Sequence, residues 1–166
     1  MSSNYSDIRT NRLVFSSLMA CLVLLGTLLF RIPIPMTQGY VHLGDAMIFI
    51  GVLLLDKKQG AFAAALGSSL GDILGGFAFW APWTFIIKFA MADVAGSLAG
   101  KRPKIVAMIA GGLVMCAGYL IAERFMYGSW ALAAVGIPWN IGQFVVGMAV
   151  ALAAQPLFRM LPSTRE

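Results

Sequence analysis

The sequence predicts an all-α polytopic membrane protein, a six-transmembrane-helix bundle with both termini cytoplasmic. Composition is the first reason. The 166 residues are 60% hydrophobic and 11% charged, with a mean hydropathy of +0.84, whereas a soluble domain is about a quarter charged. The second is segmentation: the apolar residues fall into six runs separated by short breaks rich in proline, glycine or charge. The third is charge placement. With six spans, Arg9, Arg12, Lys57, Lys58, Lys101, Arg102, Lys104, Arg159 and Arg165 share one side, against Arg31 and Arg124 on the other. That bias puts the termini inside.

The elements follow in order. The first run covers 13–30, after Arg9 and Arg12. Its start resembles a signal peptide, but it is long and has no clear small-residue cleavage site, so it is expected to remain as a span. "RIPIPMTQG" then reads as a loop. The second run, 43–55, extends only about 20 Å as a helix and needs neighbours to shield its ends. "DKKQG" is a polar turn before the third run, 60–76, and "GGFAFWAPW" separates that from the fourth, 83–99. "GKRPK" precedes the fifth, 105–122, and "GIPW" breaks the chain before the sixth, 140–158. These make one membrane domain over 1–166. Cys21 and Cys116 both lie in apolar runs and read as small helix residues.

The net charge of +5 is a topology signal and not a nucleic-acid footprint. The single histidine, His42, reads as a loop or helix-start residue. No metal-ligand spacing and no nucleotide-binding "GxxxxGK[ST]" sequence is present. The scattered acids give no nucleophile–base set, so no enzyme is expected.

Polar residues inside the runs share one depth. Asp45, Asp72, Lys88, Glu123 and Gln143 with Asn140 all fall within roughly 8 Å of the outer edge, at 1.5 Å per helical residue. Charges in membrane segments usually face the bundle interior or a cavity, so several helices aim polar groups at one shallow, outward-facing region. Tyr119, one turn before Glu123, and the walls Trp83 and Trp139 join it. Bland readings compete. The tryptophans suit an interfacial belt. Lys88 suits snorkelling to headgroups, or a structural pair with Asp72 or Asp45. Asp93 lies deeper, near the midplane, where a hydrogen bond to a neighbouring helix is its commoner role. Small residues spaced four apart, Ser16 with Ala20 and Ser17 with Cys21, let helices approach closely and mark a candidate docking face.

"HLGDAMIFIGVLLL", "GAFAAALGSSLGDILGG" and "APWTFIIK", in this order and spacing, resemble the substrate-binding S components of energy-coupling factor (ECF) vitamin transporters. The similarity is densest over residues 42–100. It implies a six-helix subunit in the plasma membrane of a prokaryote that takes a water-soluble vitamin or precursor from outside. It also implies partners: an ECF transmembrane coupling subunit and two cytoplasmic ATPases that hydrolyse ATP, with no cofactor on this chain. By the same resemblance the site includes Gln38, Tyr40, Trp83, Lys88, Tyr119, Glu123, Trp139, Asn140 and Gln143, supported by Asp45 and Asp72. Ser16 and Ala20 match the family's alanine-based docking motif loosely. A vitamin B6 form or hydroxymethylpyrimidine is the first choice of cargo and riboflavin the next. The competing class is a self-contained proton-coupled carrier, for which Asp93 is the coupling residue.

Overall fold

The computed structural model describes residues 2–158, with side chains over 10–157. Among them the order is α1 (Ser2–Leu29), β1 (Arg31–Pro33), β2 (Tyr40–His42), α2 (Gly44–Leu54), α3 (Lys57–Leu74), α4 (Ala81–Leu98), α5 (Lys104–Tyr127) and α6 (Trp130–Phe158). Arg159 and Arg165 of the charge count lie outside the described residues, and the Arg9 side chain lies outside the described side chains.

Local chemistry sets the breaks. The Asp56 carboxylate accepts from the Gln59 backbone N–H at 3.0 Å. This N-cap satisfies an orphan donor and starts α3 at Lys57, earlier than the sequence boundary. Gly76, with φ +85°, turns the chain after α3, and Pro82 sits in the first turn of α4. Gly128, at φ +69°, closes α5 in the left-handed conformation that glycine adopts without strain.

Two sequence expectations are corrected. "RIPIPMTQG" is not an open loop, because its flanks form an antiparallel hairpin that pairs Arg31 with His42 and Pro33 with Tyr40. Two strands leave every position at an edge, where proline is tolerated, and the Ile34 N–H closes the turn on the Gly39 carbonyl at 3.0 Å. "GIPW" does not break the chain either: α6 begins at Trp130 and runs through Pro138. Ser129 starts it, accepting the Leu132 N–H on its hydroxyl and the Ala133 N–H on its carbonyl. Pro138 then removes one intrahelical bond without ending the helix.

The stretches Thr10–Leu29, Lys104–Tyr127 and Trp130–Leu157 are each long and apolar enough to cross a membrane. In contrast, α2 has 11 residues, about 16 Å. It is enclosed by α1, α3, α4 and α6, with Ile48, Phe49 and Ile50 buried. A close approach joins α1 to α3. A Cβ on Gly67 would fall 2.4 Å from the Ala20 carbonyl oxygen, so only glycine fits there. Ala20 therefore faces partly into the bundle, and the Ser16 hydroxyl bonds the Arg12 carbonyl at 2.8 Å. The outward stripe of α1 runs instead through Leu13, Ser17, Leu18, Cys21 and Leu25.

The hairpin, the ends of α1, α3 and α5 and the starts of α2, α4 and α6 gather at one end of the bundle. Lys57, Lys58, Lys101, Arg102 and Lys104 are exposed at the other. There Lys57 meets Asp93 at 3.1 Å. Asp93 thus does bond a neighbouring helix, at the first residue of α3, but in a part-exposed ion pair near the lysine-rich end of the bundle rather than at mid-depth.

Candidate functional site

Below the hairpin lies a buried charge pair. Lys88 and Asp45 are both fully buried and bonded to each other. The ammonium also lies 2.9 Å from Met115 Sδ and 5.6 Å from the centre of the Tyr119 ring. Gln143 donates to the second Asp45 oxygen at 2.8 Å and accepts the His42 N–H at 2.8 Å. Each group thereby satisfies another, which is what a buried pair requires. The polar stripe read from sequence is here a closed network joining α2, α4, α6 and β2.

Above it, a chamber of about 30 Å³ sits between the hairpin and the helix ends. Tyr40, Asp72, Tyr119, Glu123 and Asn140 line it, together with Ile34, His42, Trp80 and Thr84. The Tyr40 hydroxyl bonds Asp72. The Tyr119 hydroxyl meets Thr84 Oγ1 at 3.3 Å. Trp80 Nε1 donates to the Gln38 carbonyl at 3.1 Å, and the Gln38 N–H donates to the Tyr127 hydroxyl at 3.1 Å. The hairpin is thus fastened to α3, α4, α5 and α6 by single side-chain bonds. Arg31 anchors its base. The guanidinium donates to the carbonyls of Thr27, Gly75 and Gly71 at 2.9, 3.0 and 3.1 Å, and lies 4.9 Å from the Tyr40 ring centre.

Of the residues predicted from sequence, Tyr40, Asp72, Tyr119, Glu123 and Asn140 meet at this chamber. Gln38 does not line it; its backbone is bonded to Trp80 and Tyr127 at the rim of the hairpin. Trp83 stacks on Phe125 with ring centres 6.1 Å apart and does not line it. Lys88 lies beneath, bonded to Asp45. Trp139 and Gln143 line a second cavity of about 500 Å³ between the end of α1, the hairpin and α6, with Leu29, Phe30, Val41 and Val146 among its walls. That cavity is larger but apolar; the convergent polar groups are in the small chamber. Sequence reasoning missed Trp80, Thr84, Ile34 and His42. Trp80, Thr84 and Lys88 are spaced four apart, which puts them on one helix face, so that signal was available.

His42 forms a wall shared by both cavities. Its Nδ1 accepts the Gly44 N–H at 3.0 Å. Burial first, and then the Lys88 charge, push its pKa down from 6.5 to about 3. The folded protein therefore holds His42 neutral, while the unfolded chain takes a proton below its ordinary value. The His42 contribution to stability is full above that value and is lost as pH falls from 6.5 towards 3. It amounts to about 2 kcal/mol between about pH 7.5 and about pH 5. Thermal melts of wild type and His42→Gln should therefore converge on acidification over this range; parallel melts would contradict a neutral buried imidazole.

The sequence comparisons now bear on this geometry. Residues 7–159 match the family described as "ECF-type riboflavin transporter, S component". The chain belongs to this family. As an S component it is a helical membrane protein and part of a transporter, not an enzyme. The "Thiamine precursor transporter HmpT" of Lactococcus lactis subsp. cremoris (strain MG1363) is similar to it, 33% identical over 130 residues, covering 78% of this chain and 76% of the relative. An "Uncharacterized protein in gap 3'region" of Pyrococcus woesei is 35% identical over 106 residues, 61% of this chain and 71% of that protein. The stretches that carried the resemblance supply the S component's chamber and its foundation. Asp45 comes from "HLGD", Asp72 from "SLGD", and Thr84 and Lys88 from "PWTFIIK".

Proposed function

We propose that this S component captures a small water-soluble vitamin or vitamin precursor outside a prokaryotic plasma membrane. It hands the cargo inward together with an ECF transmembrane coupling subunit and two cytoplasmic ATPases. The observation that carries the reading is the convergence of aromatic and polar side chains under a fastened hairpin. Its position supports the orientation: the hairpin end carries Arg31 and Arg124, and the opposite end carries the exposed lysine cluster, as the positive-inside rule requires for an outward-facing site.

The cargo proposed is hydroxymethylpyrimidine or a vitamin B6 form, ahead of riboflavin. The HmpT relative supports the first, and one small heterocycle suits a chamber with few polar groups. At about 30 Å³ the chamber is far smaller than the roughly 300 Å³ at which ligand pockets begin. The cargo is therefore admitted only when the hairpin lifts, breaking the Tyr40–Asp72 and Trp80–Gln38 bonds. The coupling subunit is assigned to the outward face of α1, centred on the exposed Ser17 and Cys21 with the partly buried Ser16 and Ala20 beside them.

Reconstitution tests this reading. The chain alone in liposomes should bind labelled precursor but accumulate none, with or without a proton gradient. Adding the coupling subunit, the ATPases and ATP should start uptake. Accumulation by the chain alone under a proton gradient would contradict the proposal and favour a self-contained carrier.

A further inference from the structure

The large apolar cavity follows from how the helices are ordered. α1 packs on α2 and α3, and α6 packs on α2 and α5, so the short α2 stands between α1 and α6. It begins only at Gly44. Outward of that point the cavity of about 500 Å³ separates the end of α1 from α6, with Val41 and His42 of β2 in its wall. Its rim is apolar and exposed at Leu29, Phe30, Trp139 and Val146. These residues continue the lipid-facing surface of α1 and α6, where Leu25 and Val145 are also exposed.

The interior offers a polar partner little to bond. Arg31 is the charged residue of the lining, and its guanidinium is turned to α3, on the Gly71 and Gly75 carbonyls. Gln143 spends its carbonyl on the His42 N–H and its amide on Asp45. Gly142 leaves open space, since a Cβ there would meet no atom within 4 Å. Water finds few partners in such a cavity, and a void forfeits the dispersion contacts of its lining. Hydrocarbon suits it, and at this depth the bilayer supplies hydrocarbon.

We propose that an acyl chain of a phospholipid, from the leaflet at the hairpin end, occupies this cavity and braces the hairpin from the membrane side. The chain lies against Val41 and His42. His42 is also a wall of the chamber, so one side chain separates the lipid from the cargo site. The headgroup is not selected, because the Arg31 charge is directed at α3. This inference goes beyond the cargo and stands whichever compound the chamber takes.

Native mass spectrometry tests it on the full chain, purified in detergent and given palmitoyl-oleoyl phosphatidylglycerol or phosphatidylcholine. One lipid per chain should be retained, with the two headgroups within about threefold of each other in affinity. Gly142→Leu puts a side chain into the open space and should cut retention at least about 10-fold. Val146→Phe narrows the same cavity from its rim and serves if Gly142→Leu does not fold. Hydrogen exchange of the hairpin amides over 31–42 should slow about 10-fold when lipid is added to wild type. In Gly142→Leu that exchange should be indifferent to lipid. Equal retention by wild type and the cavity-filling variant marks lipid that merely surrounds the protein, and would overturn the proposal. So would retention that leaves hairpin exchange unchanged, a headgroup preference above threefold, or no retained lipid at all.

Discussion

Replacing Lys88 with methionine is expected to destabilise the protein by about 3–5 kcal/mol, because it leaves the Asp45 carboxylate buried without its counter-charge. Both side chains are fully buried. Gln143 alone cannot neutralise the acid that it bonds at 2.8 Å. The loss should appear as a large drop in melting temperature in detergent and in poor yield. The informative comparison is the double variant Lys88→Met, Asp45→Asn. Removing both charges should recover most of the loss, since a buried pair replaced by neutral groups of similar size is often tolerated. If the single variant melts within about 1 kcal/mol of wild type, a value typical of an exposed pair, the buried pair does not hold the bundle together. A selective loss of ligand affinity in a protein of unchanged stability would instead return Lys88 to the binding site.

Gly67→Ala should destabilise by about 1–3 kcal/mol through overpacking. The added methyl meets the Ala20 carbonyl oxygen at 2.4 Å and Val23 Cβ at 2.8 Å. Neither can swing aside, because one is backbone and the other is the stiff branch point of a valine. The helices must separate, and small residues at such contacts are what permit close packing inside a membrane. Gly142→Ala is the control: no atom lies within 4 Å of its added Cβ, so its melt should stay near wild type or rise slightly, as alanine favours the helix. Equal effects from both substitutions would contradict the α1–α3 contact.

The six helices were legible because their ends carry local signals. Gly76 fell in a break read from the sequence; the Asp56 cap and the Gly128 stop are equally local signals, but hydrophobicity alone set those bounds and placed them at 60 and 122. The hairpin was hidden because Pro33 and Pro35 argue against strand, and only the pairing of Arg31 with His42 across the turn overrides them. Pro138 misled in the same way: Ser129 had already begun the helix that carries it. At the site, depth alone selected Asp72, Tyr119, Glu123 and Asn140 correctly as neighbours of one region. It could not separate the chamber from the network beneath it, because Lys88 and Glu123 lie at similar depth. What divides them is which acid each helix brings to the lysine, and that depends on how α2 wedges between α4 and α6. Trp83 was chosen over Trp80 for want of one observation: Trp80 and Thr84 share a face with Lys88, and Trp83 does not.

The most direct test of the central claim is a tryptophan-fluorescence titration of the purified chain, alone in detergent, against a panel of B vitamins and their precursors. Trp80 is buried in the chamber wall, with its indole bonded to the hairpin, so cargo entering beneath the hairpin must change its emission. Saturable quenching by one compound at sub-micromolar concentration, abolished in Trp80→Phe while calorimetry still detects binding, is the predicted result. No response to any compound, from protein shown to be folded, would contradict a vitamin site under the hairpin.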